Sequence, residues 1–167
     1  MSSKLKLSPK VSYMLGVYSV NKAAGQPISV STRNGDVIER FVKVAMEELG
    51  VEPNKILLND SGAAFYNSKL RKLFDRALER RRNTFKYVNN YSGNYVAGLF
   101  DCNGGIDRKG LFIRKIDVHD GLVLEDLGVH TRVQGSKSYI MNEKAFVALI
   151  KAHSMVLEKV LSHGKRR

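Results

Sequence analysis

The chain has 167 residues, enough for one substantial core, and its hydrophobic content of 43% is ordinary for a soluble protein. No apolar run is long enough to span a membrane, the opening "MSSKLKLSPK" has no apolar signal core, and the single cysteine, Cys102, excludes a disulfide framework and a cysteine zinc site; a reducing cytoplasm is the natural setting. Lysine and arginine outnumber aspartate and glutamate by 28 to 16, a net charge of +12, which favours a polyanionic partner over a merely soluble or thermophile-like surface because cations meeting phosphates release condensed counterions.

The first predicted element is a helix, with Ser8 as N-cap and Pro9 at the first helical position. "KAAGQPISVST" reads as a turn and a short alternating strand. Residues 34–50 follow as an amphipathic helix in which Val37, Ile38, Phe41, Val44, Ala45 and Leu49 recur at helical spacing and Gly50 caps the end. "KILLNDSGAAFYN" is a hairpin turning at Asn59–Gly62. "SKLRKLFDRALERR" is a helix capped by Ser68, and "RRNTFKYVNNYSGN" a polar connector without a period.

The pattern then restarts. "YVAGLFDC" is a helix stopped by glycines, "GLFIRKID" a strand, and "VHDGLVLEDLG" a helix ending at Gly128. "HTRVQGSKSYIMN" is a hairpin turning near Gly135, "EKAFVALIKAHSMVLEKVL" a closing helix, and Lys165-Arg166-Arg167 a basic tail. Leu49-Gly50-Val51 matches Leu127-Gly128-Val129, and Tyr13-x-x-Gly16 matches Tyr95-x-x-Gly98. Five elements in the same order predict an α+β pseudo-twofold tandem repeat, residues 1–87 and 88–167, folded as one compact unit. Strands arriving as hairpins argue against a parallel βαβ sheet.

"AGLFDCNGG" resembles the signature of the LAGLIDADG homing endonuclease family, with Ala97, Gly98, Leu99, Asp101 and Gly104 in place. The first copy, "MLGVYSVNK", keeps only Leu15, Gly16 and apolar character. The resemblance implies two motif helices packed at the repeat interface through Gly16, Ala97 and Gly98, with antiparallel sheets forming a saddle over nucleic acid and helices behind. It also implies an acid at each helix end, where Mg²⁺ bridges acids and scissile phosphates. In this chain those two positions are Asn21 and Asn103. A neutral amide is a poor ligand for a hard cation, so loss of metal and of cleavage is expected. Asp101 lies two residues earlier, about 200° round the helix, which counts against it as a metal ligand; Asp107 and Asp36 are the other candidate acids.

Decay of a nuclease kept for binding, deliberate substitution, and amides that donate to nucleic acid would each leave this pair. Lys22, replacing the motif's last glycine, weighs towards natural change. Only about ten residues separate Asn21 from Thr32, too few for two long strands, so the saddle is expected to be small.

Lys69, Arg71, Lys72, Arg76, Arg80, Arg81, Arg82 and Lys86 make the densest cationic run; Lys69, Lys72, Arg76 and Arg80 share one helix face, with Asp75 and Glu79 interrupting. Phe85, Tyr87 and Tyr91 follow. These aromatics can stack on unpaired bases and can equally anchor the connector in the core. Arg33, Arg108, Lys109, Arg114, Lys115 and Arg132 are the expected saddle contacts. The four histidines are scattered without ligand spacing, and Cys102 reads as a packing thiol. The resulting expectation is a monomeric, non-cleaving, cofactor-free binder of structured RNA, ribosomal RNA and the ribosome included, or of duplex DNA. The alternative is a Mg²⁺-dependent site-specific DNA endonuclease whose acids are substituted in this chain.

Overall fold

The computed structural model describes residues 4–22 and 27–164. In the first half, α1 (Pro9–Asn21) leads to β1 (Ile28–Ser31), α2 (Gly35–Glu47), the hairpin β2 (Ile56–Asn59) and β3 (Gly62–Phe65), then α3 (Ser68–Glu79) and the single turn α4 (Arg81–Thr84). The second half runs α5 (Asn90–Asn103), β4 (Gly104–Asp107), β5 (Gly110–Arg114), α6 (Val118–Asp126), β6 (Thr131–Gln134), β7 (Lys137–Ile140), α7 (Glu143–Ile150) and α8 (Leu157–Gly164). This is an α+β fold with two antiparallel sheets, in the orders β1-β3-β2 and β4-β5-β7-β6. The short strands keep both sheets small.

Helices α1 and α5 form the spine. Residues 11–19 and 92–101 are buried without interruption, the mark of helices surrounded on all sides. Ser8 accepts from Val11 N–H, so the first cap is as expected. The two Leu-Gly-Val sites also behave alike: Gly50 and Gly128 take φ +68 and +82, and the valine N–H that follows each turns back to a helical carbonyl, of Ala45 and of Leu124.

Four expectations need correction. Asn67, not Ser68, caps α3, because the Asn67 side chain accepts from Leu70 N–H. The connector is not irregular throughout: it contains α4, and α5 begins at Asn90 under a capping box between Asn89 and Ser92. The glycines after the motif do not end regular structure; Gly104 and Gly105 start β4, with the Phe100 and Phe112 rings lying where their side chains would be. The closing helix is broken between Ile150 and Leu157, since Ser154 and the Met155 N–H are turned to the Asp101 carboxylate. The basic tail at 165–167 and the turn at 23–26 lie outside the described residues. Among the described residues no helix is long and apolar enough to cross a membrane.

Candidate nucleic-acid interface

The spine is built on a reciprocal close approach. A Cβ at Gly16 would sit 3.1 Å from the Tyr95 carbonyl carbon, and one at Gly98 3.2 Å from that of Tyr13, with each carbonyl oxygen closer still. Ala97 is fully buried beside this crossing. Each tyrosine then reaches across the interface to an acid. Tyr13 donates to Asp101 at 2.5 Å, and Tyr95 donates to Asp120, which also accepts from Ser19 at 2.6 Å. Ser19 stands where Asp101 stands in the second repeat, so on one side the acid comes from α6 instead of the motif helix. Burial pushes the Asp101 and Asp120 carboxyls above their ordinary value, opposed at Asp101 by Ser154, Tyr13 and the Met155 N–H, and at Asp120 by Arg81, Ser19 and Tyr95. Asp101 is thus a structural acid that fastens the α7–α8 break to the spine.

At the ends of these helices the two asparagines are tied to backbone. Asn21 Nδ2 donates to the Val17 carbonyl at 2.7 Å, and its Oδ1 accepts from Ser31 N–H at 3.3 Å. Asn103 Nδ2 donates to the Arg114 carbonyl at 3.0 Å. Each amide therefore joins a motif helix to its own turn or to a strand. Cys102 packs beside Asn21, and burial pushes its thiol up to about 12.

A divalent cation at this point does not fit the donor set. Both side chains are neutral and use their N–H as donors, and the nearby acid Asp101 is occupied by three donors. Asp107 is bound by Lys137 and Tyr139, at 2.8 and 2.7 Å, which hold its carboxyl well below the usual range. Among the described residues no group of three histidine, cysteine or acidic side chains could hold a metal ion.

The predicted cations fall into four places. Arg81 is not at the surface: it is 5% exposed, donating to Ser19 at 3.0 Å, Asp120 at 3.1 Å and Asp117 at 3.0 Å. Burial opposes its charge, but Asp120, Tyr95 and Asp117 hold its value above the ordinary one. It is an internal counter-ion and, contrary to the expectation from its place in the cationic run, has no free face for nucleic acid. Arg82 is exposed and paired to Asp126 at 2.7 Å. Lys69, Lys72, Arg76 and Arg80 are exposed along α3 and its end.

The rest, apart from Arg33, belong to the second sheet. Directly paired residues share a face, so the register puts Gly105, Phe112, Tyr139 and Arg132 on its open side, with Arg114, Lys137 and Gln134 beside them. Phe112 and Tyr139 meet edge to face at 5.8 Å. Lys137 and Arg114 stand over the Phe112 ring at 4.4 and 5.1 Å, and Lys109 over Tyr139 at 5.9 Å. Lys109 also donates to Gln134 at 2.6 Å. Arg108 is exposed in the same β4–β5 turn, and Lys115, with φ 57, follows β5. The cations are thus held in place on an aromatic floor. Lys137, Phe112 and Tyr139 were missed by sequence reasoning; the alternation of Lys137 with Tyr139 was the available signal.

The first sheet is different. Its open face carries Ser29, Ala64 and Leu57 in one row and Ser31, Gly62 and Asn59 in the next, with no charge. Arg33 lies just beyond β1.

The architecture has clear counterparts among solved structures. I-DmoI in complex with DNA and manganese superposes with a TM-score of 0.61 at 20% identity, covering 87% of this chain and 97% of that one. An I-DmoI variant with its target DNA nicked in one strand gives 0.63 at 18% identity, over 87% and 97%. The fold is that of the homing endonuclease I-DmoI. I-DmoI with DNA and calcium agrees, with a TM-score of 0.59 and 92% of this chain covered. No protein-family model matches the sequence, and no curated protein matches it. The likeness at this identity is one of fold. In this chain the ends of α1 and α5 carry a pair of backbone-bound amides, Asn21 and Asn103.

Proposed function

We propose that the protein binds nucleic acid, duplex DNA or structured RNA, through the basic open face of its second sheet, and does not cleave it. The ribosome's RNA is one structured partner of this kind. The commitment of Asn21 and Asn103 carries the reading: amide N–H groups are satisfied by the Val17 and Arg114 carbonyls, where a carboxylate has no proton to offer. The sites are shaped for amides. The cations Arg114 and Lys109, held over the aromatic floor, suit phosphates and groove edges, and the likeness to DNA-bound I-DmoI supports a nucleic-acid partner.

That same likeness favours a second reading, a Mg²⁺-dependent endonuclease with its acids substituted in this chain. One experiment separates the two. The protein and its Asn21→Asp, Asn103→Asp double variant are incubated with Mg²⁺ and a pool of duplex sites. The binder reading expects no strand breaks from either. Breaks from the double variant alone would establish a disabled nuclease.

A further inference from the structure

The molecule has two sets of aromatics near cations, and they differ in access. On the second sheet Phe112 and Tyr139 are only 5% and 8% exposed, closed in by the cations above them. Tyr87, on the connector between α4 and α5, is 69% exposed, and Tyr91, in the first turn of α5, is 40% exposed. A ring must show its face to stack on a base, so only the second set is fit for that.

The connector is also held firmly. Phe85 is fully buried and stacks on Tyr95 with centroids 4.4 Å apart, anchoring one end. At the other, Ser92 Oγ donates to the Tyr87 carbonyl at 2.6 Å and accepts from Asn89 N–H at 3.0 Å. Tyr87 is therefore displayed from a fixed backbone. Lys86 Nζ stands 5.2 Å from its ring centroid. Tyr87, Lys86 and Arg80 border an open pocket of about 660 Å³. The acids there are Glu79 and Asp126, and Asp126 is already neutralised by Arg82. Arg80 and Lys86 make no ion pair among the described residues. Asp126 ends α6, and Val123 and Leu124 of that helix are buried in the core, so this surface belongs to the helical layer and not to the open sheet face.

We propose that Tyr87 and Tyr91, with Lys86 and Arg80, form a second nucleic-acid surface that takes an unpaired strand, by base stacking on the rings and phosphate contact with the two cations. It rests on the proposal that this protein is a nucleic-acid binder, and it adds a separate place and a separate nucleic-acid form. The connector precedes the first turn of α5 and β4 follows its last residue, so the strand surface and the second sheet are separated by the length of that 14-residue helix, about 20 Å.

The test compares four ligands at fixed salt: a blunt duplex, the same duplex with an unpaired tail of about six nucleotides, and the tail strand alone as DNA and as RNA. The tail is expected to raise duplex affinity at least about fivefold, the effect of one stacked base. The Tyr87→Ala, Tyr91→Ala double variant removes that gain and leaves blunt-duplex affinity unchanged; both side chains are exposed, and its thermal midpoint serves as the folding check. No gain from the tail in the natural protein, or a gain that survives in the variant, overturns the inference. Tyrosine-dependent binding of the lone strand without binding of the duplex would uphold it and sink the sheet-face reading instead.

Discussion

Gly16 and Gly98 stand in reciprocal positions across the α1–α5 crossing, each with the other helix's tyrosine carbonyl where a side chain would be. The obstacle is backbone on both sides, so no rotamer change can relieve it. Gly16→Ala and Gly98→Ala are each expected to cost about 1–3 kcal/mol or more, since overpacking here forces the helices apart. Equilibrium urea denaturation checks this: the midpoint should fall for both variants by similar amounts. Alanine tolerated at either position would contradict the close approach.

Asn21→Asp and Asn103→Asp remove a donor and set an anionic oxygen against a backbone carbonyl. Asn21→Asp, whose bond to Val17 is part-buried, should destabilise by about 1 kcal/mol at neutral pH, and Asn103→Asp, whose bond to Arg114 is exposed to water, by less. The loss should shrink in acid, where a protonated carboxyl can donate again. Midpoints for the single variants at neutral and acid pH decide it; equal stability of variant and parent would mean that the amide bonds contribute nothing.

Arg81 is the sharpest contrast between position in the sequence and role in the fold. It sits in a run of three arginines, yet Asp117 and Asp120 hold it inside. Arg81→Met leaves the buried Asp120 without its counter-ion and should cost about 3–5 kcal/mol. Arg80→Ala should leave stability nearly unchanged. Thermal midpoints of the two variants read the difference.

The acid limb of stability should depend on Asp107. Its folded-state value is depressed by Lys137 and Tyr139, so the contribution is fully present above the ordinary aspartate value of 3.8 and is lost as pH falls below it. Asp101 and Asp120 are raised and act in the opposite sense, favouring the fold as pH falls through their folded values. Urea midpoints taken from about pH 5 to about pH 2 should fall less steeply in Asp107→Asn than in the parent. An unchanged slope would show that this carboxylate gains nothing on folding.

Charge on one sheet only predicts a lopsided interface. Arg114→Ala and Arg132→Ala should each weaken nucleic-acid binding and reduce the slope of log affinity against log salt by roughly one. Ser29→Ala and Ser31→Ala on the first sheet should leave that slope unchanged. Binding isotherms over a salt series give both numbers.

Much of this architecture was legible in the chain because its signals were local and repeated. Tyr-x-x-Gly twice, Leu-Gly-Val twice and a turn at Gly135 are short-range marks, and the structure has α+β hairpins where they fall. What could not be read came from contacts distant in sequence. The break after Ile150 exists because Asp101, some fifty residues earlier, draws in Ser154 and Met155. Gly104-Gly105 looks like a terminator until the Phe100 and Phe112 rings are laid over it. Arg81 and Arg82 are neighbours of the same type, and only the acids of α6 distinguish them. At the site, the amide positions were visible as letters. Their backbone partners required the folded turn and strand.

The most direct measurement of the central claim is the integrity of strands held in a complex. Nucleic acid that copurifies with the protein is identified by sequencing, resynthesised with end labels, bound again, and incubated with Mg²⁺ before the strands are resolved under denaturing conditions. The account predicts a salt-sensitive complex whose strands remain full length. Cut strands from the protein as it stands, or no nucleic acid bound at any salt concentration, would contradict it.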